Sequence, residues 1–284
     1  MNHPLTFFDL WNPYLLVILI LLGFIYFKTL NKYTKSYSNA FLTVKRRKVL
    51  FAIALVFYFI AEGSPLKAYG HYLFSFHMTS MAIVYLIVPP LILLSLPKPF
   101  FDPILKKHSV KKVFSFFTFP LVSVVLFNAV FSFYHVPAIF DYLMNNMLLM
   151  NVAFYVLLLL AFLFWWPLVT PLPELNEISN LKKLGYIFAA GVLLTPACAL
   201  IIFAKDILYE TYLNAPRVFS VFQLLDDQQA AGIIMKIIQE IVYGTALGII
   251  FFQWAKKEKR QDESVTSEMK VYEQRMENVK LEGK

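Results

Sequence analysis

The sequence predicts an all-α protein that crosses a membrane about seven times as a bundle of helices. Of the 284 residues, 59% are hydrophobic and 15% are charged, whereas a soluble domain usually carries about 25% charged residues. The apolar residues form nearly uncharged segments of roughly 18 to 28 residues, each long enough to cross about 30 Å of hydrocarbon as a helix. Helices are favoured over strands because isolated strands leave backbone groups unpaired in lipid.

The segments that fit this description divide the chain into a membrane domain, residues 1–255, and a polar tail, 256–284. Pro89 and Pro90 remove two backbone donors inside the third segment, so a kink or an irregular turn is expected there. The N-terminal segment lacks a basic stretch, which favours a retained first helix over a cleavable signal. The predicted spans are 14–31, 48–65, 72–97, 113–134, 142–168, 184–205 and 231–254.

Basic residues are concentrated in alternate connecting segments. They follow the first span (Arg46, Arg47) and the third span (Lys106, Lys107), and they open the tail at Lys256. Because basic loops stay cytoplasmic, the predicted orientation places the N-terminus outside and the tail in the cytoplasm. The net charge of +8 therefore reflects topology in a lipid bilayer rather than nucleic-acid binding, and we expect a multi-pass protein of the cell membrane.

Side chains that can bind metals lie near the predicted outer ends of the spans. His77 and Met81 are four residues apart, so they share one face of the third helix. A histidine inside a membrane helix is costly to bury and marks a candidate site, and imidazole with thioether suits Cu(I). The alternative is that the methionine only packs and the histidine hydrogen-bonds between helices. His71, His135, Asp227 and Met235 belong to the same predicted outer leaflet.

Other features argue against catalysis. The sequence contains no HExxH, GxSxG or P-loop motif, so hydrolase and nucleotide chemistry find no support and the chain is predicted not to be an enzyme. The single cysteine, Cys198, excludes an internal disulfide framework. Lys236 and Glu240 are four residues apart in the last span, and we expect an ion pair that faces the interior of the bundle.

Six motifs together resemble the Bacillus-type CtaG family of caa(3)-type cytochrome c oxidase assembly factors. SPL at 64–66 and FSFHM at 74–78, with PPL at 89–91, are similar to the first half of that family. FYHVPAIFD at 133–141, FWWP at 164–167 and DQQAAGIIM at 227–235 are similar to its second half. Two positions depart from the family: Met81 stands where many relatives have a second histidine, and Lys236 where many have a tryptophan.

The resemblance implies that the chain assists assembly of this oxidase, and that it delivers or inserts copper. The partners expected on this basis are cytochrome c oxidase subunits and a copper chaperone outside the membrane. The alternatives are a metal-free chaperone that docks an oxidase subunit, a copper transporter, and a subunit that binds haem or quinone. The copper ligands implied are His77, Met81, His135, Asp227 and Met235, with His71 and Met78 as further candidates.

Overall fold

A computed structural model describes residues 6–34, 43–169, 172, 175, 178–217 and 223–282, and within these ranges the regular structure is entirely helical. A π-helical segment, Ile83–Ile87, and a 3₁₀ turn, Lys98–Phe100, interrupt the α-helices. The α-helices are α1 (Phe7–Leu10), α2 (Pro13–Thr34), α3 (Val44–Glu62), α4 (Pro65–Tyr69), α5 (Phe74–Ala82), α6 (Val88–Ser95), α7 (Asp102–Leu105), α8 (His108–Phe117), α9 (Pro120–Tyr134), α10 (Pro137–Met144), α11 (Met147–Val169), α12 (Asn180–Ile202), α13 (Glu210–Leu213) and α14 (Leu224–Glu282).

Among the described residues, six helices are long and apolar enough to cross a membrane, and the count reaches seven if α8 and α9 form one span. This confirms an all-α polytopic membrane protein. The prediction of a continuous fourth span is wrong, because α8 and α9 meet at a bend of 65°. The physical reason is Pro120, which has no backbone N–H and disfavours a helical conformation at Phe119, so a new helix begins there.

The third span is irregular where its two prolines predict irregularity. The π-helical segment ends immediately before α6, which begins with Val88, Pro89 and Pro90. In a regular helix the N–H of residue 89 would bond to the carbonyl of Tyr85, but proline has no N–H to donate. The indole Nε1 of Trp165 donates to this carbonyl instead, at 3.3 Å. The FWWP segment of α11 thus satisfies the backbone that Pro89 leaves unpaired.

The basic segments meet at one end of the bundle, here called the basic end. Arg47, at the start of α3, donates from Nη1 to the carbonyls of Leu94 (3.1 Å) and Ser95 (3.4 Å) at the end of α6. Lys183, near the start of α12, donates to the carbonyl of Leu168 at 3.1 Å. The connecting segments that carry the lysines and arginines therefore share one end, as the charge pattern predicts. Which side of the membrane that end faces stays a prediction.

The last helix, α14, packs along α12 and continues into the predicted tail. The two helices approach closely at Gly232, where an added Cβ would lie 2.8 Å from Cγ1 of Ile202. Beyond the span, α14 runs on without a break to Glu282, so the residues predicted as a polar tail extend the same helix.

The predicted ion pair on α14 forms, but its predicted location in the bundle interior is wrong. Lys236 Nζ lies 2.8 Å from Oε1 of Glu240, and the two side chains are 27% and 61% exposed. The interior face of this turn is taken by Met235, Gln239 and Tyr243, which are buried. With 3.6 residues per turn, position 236 lies at the edge of that buried face and position 240 lies beyond it, which agrees with the greater exposure of Glu240.

Candidate functional site

A histidine and a methionine from two different helices meet at the end of the bundle opposite the basic end. His135 follows the last residue of α9, and Met78 lies in the middle of α5. The imidazole Nε2 of His135 is 3.2 Å from the thioether sulfur of Met78. Both residues are buried, with exposures of 1% and 0%. We call these two residues the His–Met pair.

One hydrogen bond of the His135 ring fixes its tautomer, and so decides whether the nitrogen that faces Met78 carries a proton or a lone pair. Nδ1 of His135 is 2.7 Å from the carbonyl of Phe131, and since a carbonyl can only accept, the proton is on Nδ1. Burial lowers the pKa of His135 to about 4, so the ring is neutral near pH 7. Nε2 therefore presents a lone pair to a sulfur that also carries lone pairs, and no proton joins them. This arrangement suits a shared soft cation.

Aromatic side chains from the connecting segments cover the His–Met pair. Tyr209, which precedes α13, donates from its hydroxyl to the carbonyl of His135 at 2.8 Å. The Tyr209 ring packs 4.4 Å from Phe74 and 4.8 Å from Phe140, centroid to centroid. The Asp141 carboxylate holds α13 in place by accepting from the backbone N–H of Thr211 at 3.0 Å. These contacts close the pair off from solvent on that side.

His77, the neighbour of Met78 on α5, faces a separate cavity of about 200 Å³. We call it the His77 cavity. Nε2 of His77 is 3.2 Å from the hydroxyl of Tyr134, the residue before His135, so this contact connects the cavity with the His–Met pair. The residues that line the cavity are Asn12, Leu15, Tyr58, Glu62, Lys67, His77, Ser80, Met81, Tyr85, Tyr134, Met150, Asn151, Phe154 and Tyr155.

The wall of the His77 cavity is polar and charged on one side. Glu62, the last residue of α3, pairs with Lys67 of α4 at 2.9 Å. The hydroxyl of Ser80 donates to Oε1 of Glu62 at 3.0 Å. The carboxylate therefore lies on the same wall as Met81, which the sequence predicts to share a helix face with His77. A cation that enters this cavity meets imidazole, thioether and carboxylate groups within one space.

His71 lies beside the cavity rather than in it. It lines a small adjoining pocket that shares His77, Lys67, Ser80 and Met150 with the cavity wall. Burial, followed by the positive charge of Lys67, lowers the pKa of His71 below its ordinary value. The lowered pKa favours the neutral ring, which is the form that can bind a metal.

The Asp227 carboxylate is bonded to backbone donors and does not line the His77 cavity. Its carboxylate accepts from the backbone N–H of Phe74 at 2.7 Å and of Ser75 at 3.4 Å, and from the hydroxyl of Ser75. These groups are the start of α5, so Asp227 satisfies helix donors that would otherwise be unpaired. The next residue, Gln228, accepts from the N–H of Leu208 at 2.7 Å and holds the segment between α12 and α13.

The structure therefore divides the predicted ligands between two adjoining places. Met78 and His135 form the buried pair, while His77 and Met81 line the cavity. Met235 is buried in the core at 1% exposure and is absent from the cavity wall, as is Asp227. No group of three or more His, Cys, Asp or Glu side chains converges within the described residues.

Three site residues escape prediction from the sequence: Glu62, Tyr134 and Tyr209. No motif includes Glu62, and only the fold brings its carboxylate onto a cavity wall. Tyr134 is part of the FYHVPAIFD segment and directly precedes His135, and this position could have indicated that it belongs to the site. Tyr209 lies 74 residues from the carbonyl that it contacts, and no sequence pattern indicates the pairing.

Comparison with known proteins supports the resemblance that the motifs suggest. A family model described as cytochrome c oxidase caa3 assembly factor (Caa3_CtaG) matches residues 17–257. This range covers the spanning helices except the first residues of α2 and the end of α14. It includes the His–Met pair and the lining of the His77 cavity except Asn12 and Leu15. The comparison with curated proteins found no match, and neither did the comparison with solved structures. The match to most of its length shows that this chain belongs to the cytochrome c oxidase caa3 assembly factor family.

Proposed function

We propose that this protein carries Cu(I) in the cell membrane for caa3 oxidase assembly, with the His–Met pair as the binding site and copper as its cargo. The observation that carries the proposal is the 3.2 Å approach of His135 Nε2 to the sulfur of Met78. Both atoms are acceptors, so their contact in a buried place is unfavourable unless a cation takes both lone pairs.

The donor set favours Cu(I) over other metals. Thioether and imidazole are soft and borderline ligands, whereas Mg²⁺ and Ca²⁺ prefer several oxygen ligands. The bond from His135 Nδ1 to the Phe131 carbonyl, at 2.7 Å, is the second contact that metal-binding histidines usually make. It orients the ring and fixes the tautomer before the metal arrives. A site with few ligands can also release its cargo to a partner.

The His77 cavity supplies the access route in this proposal. Its wall carries His77, Met81 and Met150, which offer imidazole and thioether ligands, and the carboxylate of Glu62, whose charge Lys67 balances. Tyr134 connects His77 with the residue that binds the cargo. If the predicted orientation holds, a copper chaperone outside the membrane would deliver the ion to this end of the bundle.

The experiment is a titration of purified protein with Cu(I) against a competing chelator. Met78→Leu keeps the volume of the buried side chain but removes the sulfur. We expect an affinity loss of more than about 10- to 100-fold, the range for groups that only orient a metal ligand. Met144→Leu, in α10, is the matched control and should bind copper as the wild type does. Equal binding by Met78→Leu and the control would refute the assignment of the pair.

The same variants separate metal delivery from metal-free docking. In cells that make caa3 oxidase, a copper carrier predicts that Met78→Leu yields oxidase with less copper, while the Met144→Leu strain is normal. A metal-free chaperone predicts normal oxidase in both strains and a wild-type protein that binds no Cu(I). A copper transporter predicts that Met78→Leu changes the copper content of the cytoplasm.

A further inference from the structure

An ion pair on the outside of the bundle lies at the middle depth of the last span. At 1.5 Å rise per residue, Glu240 is about 24 Å along α14 from Leu224 and about 32 Å from Gln261, the ends of that span. Glu240 is 61% exposed and Lys236 is 27% exposed. Ionisable side chains within membrane spans almost always face the bundle interior or a watery cavity, because hydrocarbon does not solvate them. An outward pair in this place therefore indicates a surface that another protein covers.

Neighbouring groups on the same surface can also take part in contacts between helices. Nζ of Lys236 lies 3.1 Å from the hydroxyl of Thr195 on α12, and Thr195 is exposed. The polar patch thus spans two helices and combines a cation, a carboxylate and a hydroxyl. Such groups form hydrogen bonds between transmembrane helices, where lipid offers no competing partner.

Two glycines extend this patch towards the basic end. Gly244 and Gly248 follow Glu240 at four-residue steps, so they continue the same stripe of α14. A Cβ added at either glycine would meet no atom within 4 Å, which leaves the backbone of α14 open along this stripe. Glycines spaced in this way let a second helix approach closely in a membrane. Lys236, Glu240, Thr195, Gly244 and Gly248 are called the α14 stripe below.

We propose that the α14 stripe docks a transmembrane helix of a caa3 oxidase subunit, one with a polar side chain at mid-span and small residues beside it. Lipid does not fit, because acyl chains cannot solvate the ion pair, whereas a polar side chain of a partner helix can bond to both charges. An oxidase subunit fits because the family to which the chain belongs is described as an assembly factor for this oxidase. This inference rests on the assembly role proposed above but does not require copper.

The test measures how much caa3 oxidase copurifies with the full-length tagged protein in nanodiscs formed from membranes that contain both. Gly244→Leu fills the open stripe, and we expect about tenfold less oxidase with this variant, because the leucine side chain keeps a partner helix from approaching α14 closely. Gly185→Leu is the matched control on α12, where an added Cβ also meets nothing within 4 Å. It should retain the oxidase.

A second variant removes the charges without endangering the fold. Replacing a charged pair by apolar residues is often neutral or stabilising, so the double variant Lys236→Leu/Glu240→Leu should fold normally in lipid. We expect it to lose the oxidase as Gly244→Leu does, and to bind Cu(I) as the wild type does. A wild-type protein that binds no Cu(I) but retains the oxidase would refute the copper proposal and leave the docking proposal intact.

Three results would overturn the docking proposal. The first is wild-type protein that retains no oxidase, and the second is oxidase retained equally by wild type and both stripe variants. The third is a wild-type homodimer that becomes a monomer in both stripe variants. Mass photometry of nanodiscs without oxidase measures this. In that case a second copy, and not an oxidase helix, covers the stripe.

Discussion

Replacing Asp227 by asparagine distinguishes a structural carboxylate from a metal ligand. The carboxylate joins α14 to the start of α5, 153 residues earlier in the chain, and it is 3% exposed. Asparagine keeps the size and one acceptor oxygen, but it loses the charge and turns an NH₂ group towards one of the donors. If Asp227 acts as the structure indicates, Asp227→Asn destabilises the fold and leaves the composition of the copper site unchanged.

The magnitude follows from the donors that Asp227 satisfies. The N–H of Phe74, bonded at 2.7 Å, is fully buried and has no access to water. A hydrogen bond to a charged group contributes about 1.5–3 kcal/mol, and a buried donor left without a partner costs about 1–3 kcal/mol. We therefore expect Asp227→Asn to lower the free energy of unfolding by about 1–2 kcal/mol. Asp227→Ala, which leaves both Phe74 and Ser75 without this acceptor, should lower it by about 2–4 kcal/mol.

The assay is reversible unfolding in mixed micelles, with helix content followed by far-UV circular dichroism. Asp226→Asn is the matched control, since Asp226 is exposed and precedes Asp227 directly; its unfolding should match that of the wild type. A variant Asp227→Asn that unfolds like the wild type but no longer binds Cu(I) would refute this reasoning. Such a result would instead support Asp227 as a copper ligand, the role that the family resemblance implies.

Two further substitutions test contacts that hold the ends of the bundle together. Arg47→Met removes the donors to the carbonyls of Leu94 and Ser95, and the unfolding assay should show a loss of about 1–2 kcal/mol. Tyr209→Phe removes the buried hydroxyl that donates to the His135 carbonyl at 2.8 Å, and a loss of about 1 kcal/mol is expected. Stability unchanged in either variant would show that the corresponding contact contributes nothing in the membrane-mimetic environment.

The number and type of helices follow from the sequence because each apolar segment is long enough to form its own backbone hydrogen bonds in lipid. The irregular turn beside Pro89 is predictable for the same reason, since proline removes a known donor. The break before Pro120 was missed, although the same rule applies, because an unbroken apolar run conceals a bend. The length of α14 was also missed, since hydropathy marks where a span leaves the membrane and not where its helix ends.

The site was predictable only as a set of residue types at one end of the bundle. Hydropathy and spacing place His135 and Met78 near one leaflet, but their direct contact depends on how α9 packs against α5. The outward direction of Glu240 was not predictable, since the general tendency of charged groups to face the interior argues for the opposite. The place of Glu62 on the cavity wall was not predictable, because its contact with Ser80 is a tertiary one.

X-ray absorption at the copper edge of Cu(I)-loaded protein tests the central claim most directly. If the His–Met pair holds the cargo, the wild type should show one sulfur shell together with nitrogen from imidazole. In Met78→Leu the sulfur shell should disappear from any copper that remains bound. A sulfur shell that persists unchanged in Met78→Leu would contradict the account, because the thioether would then come from another methionine, such as Met81 or Met150 of the His77 cavity.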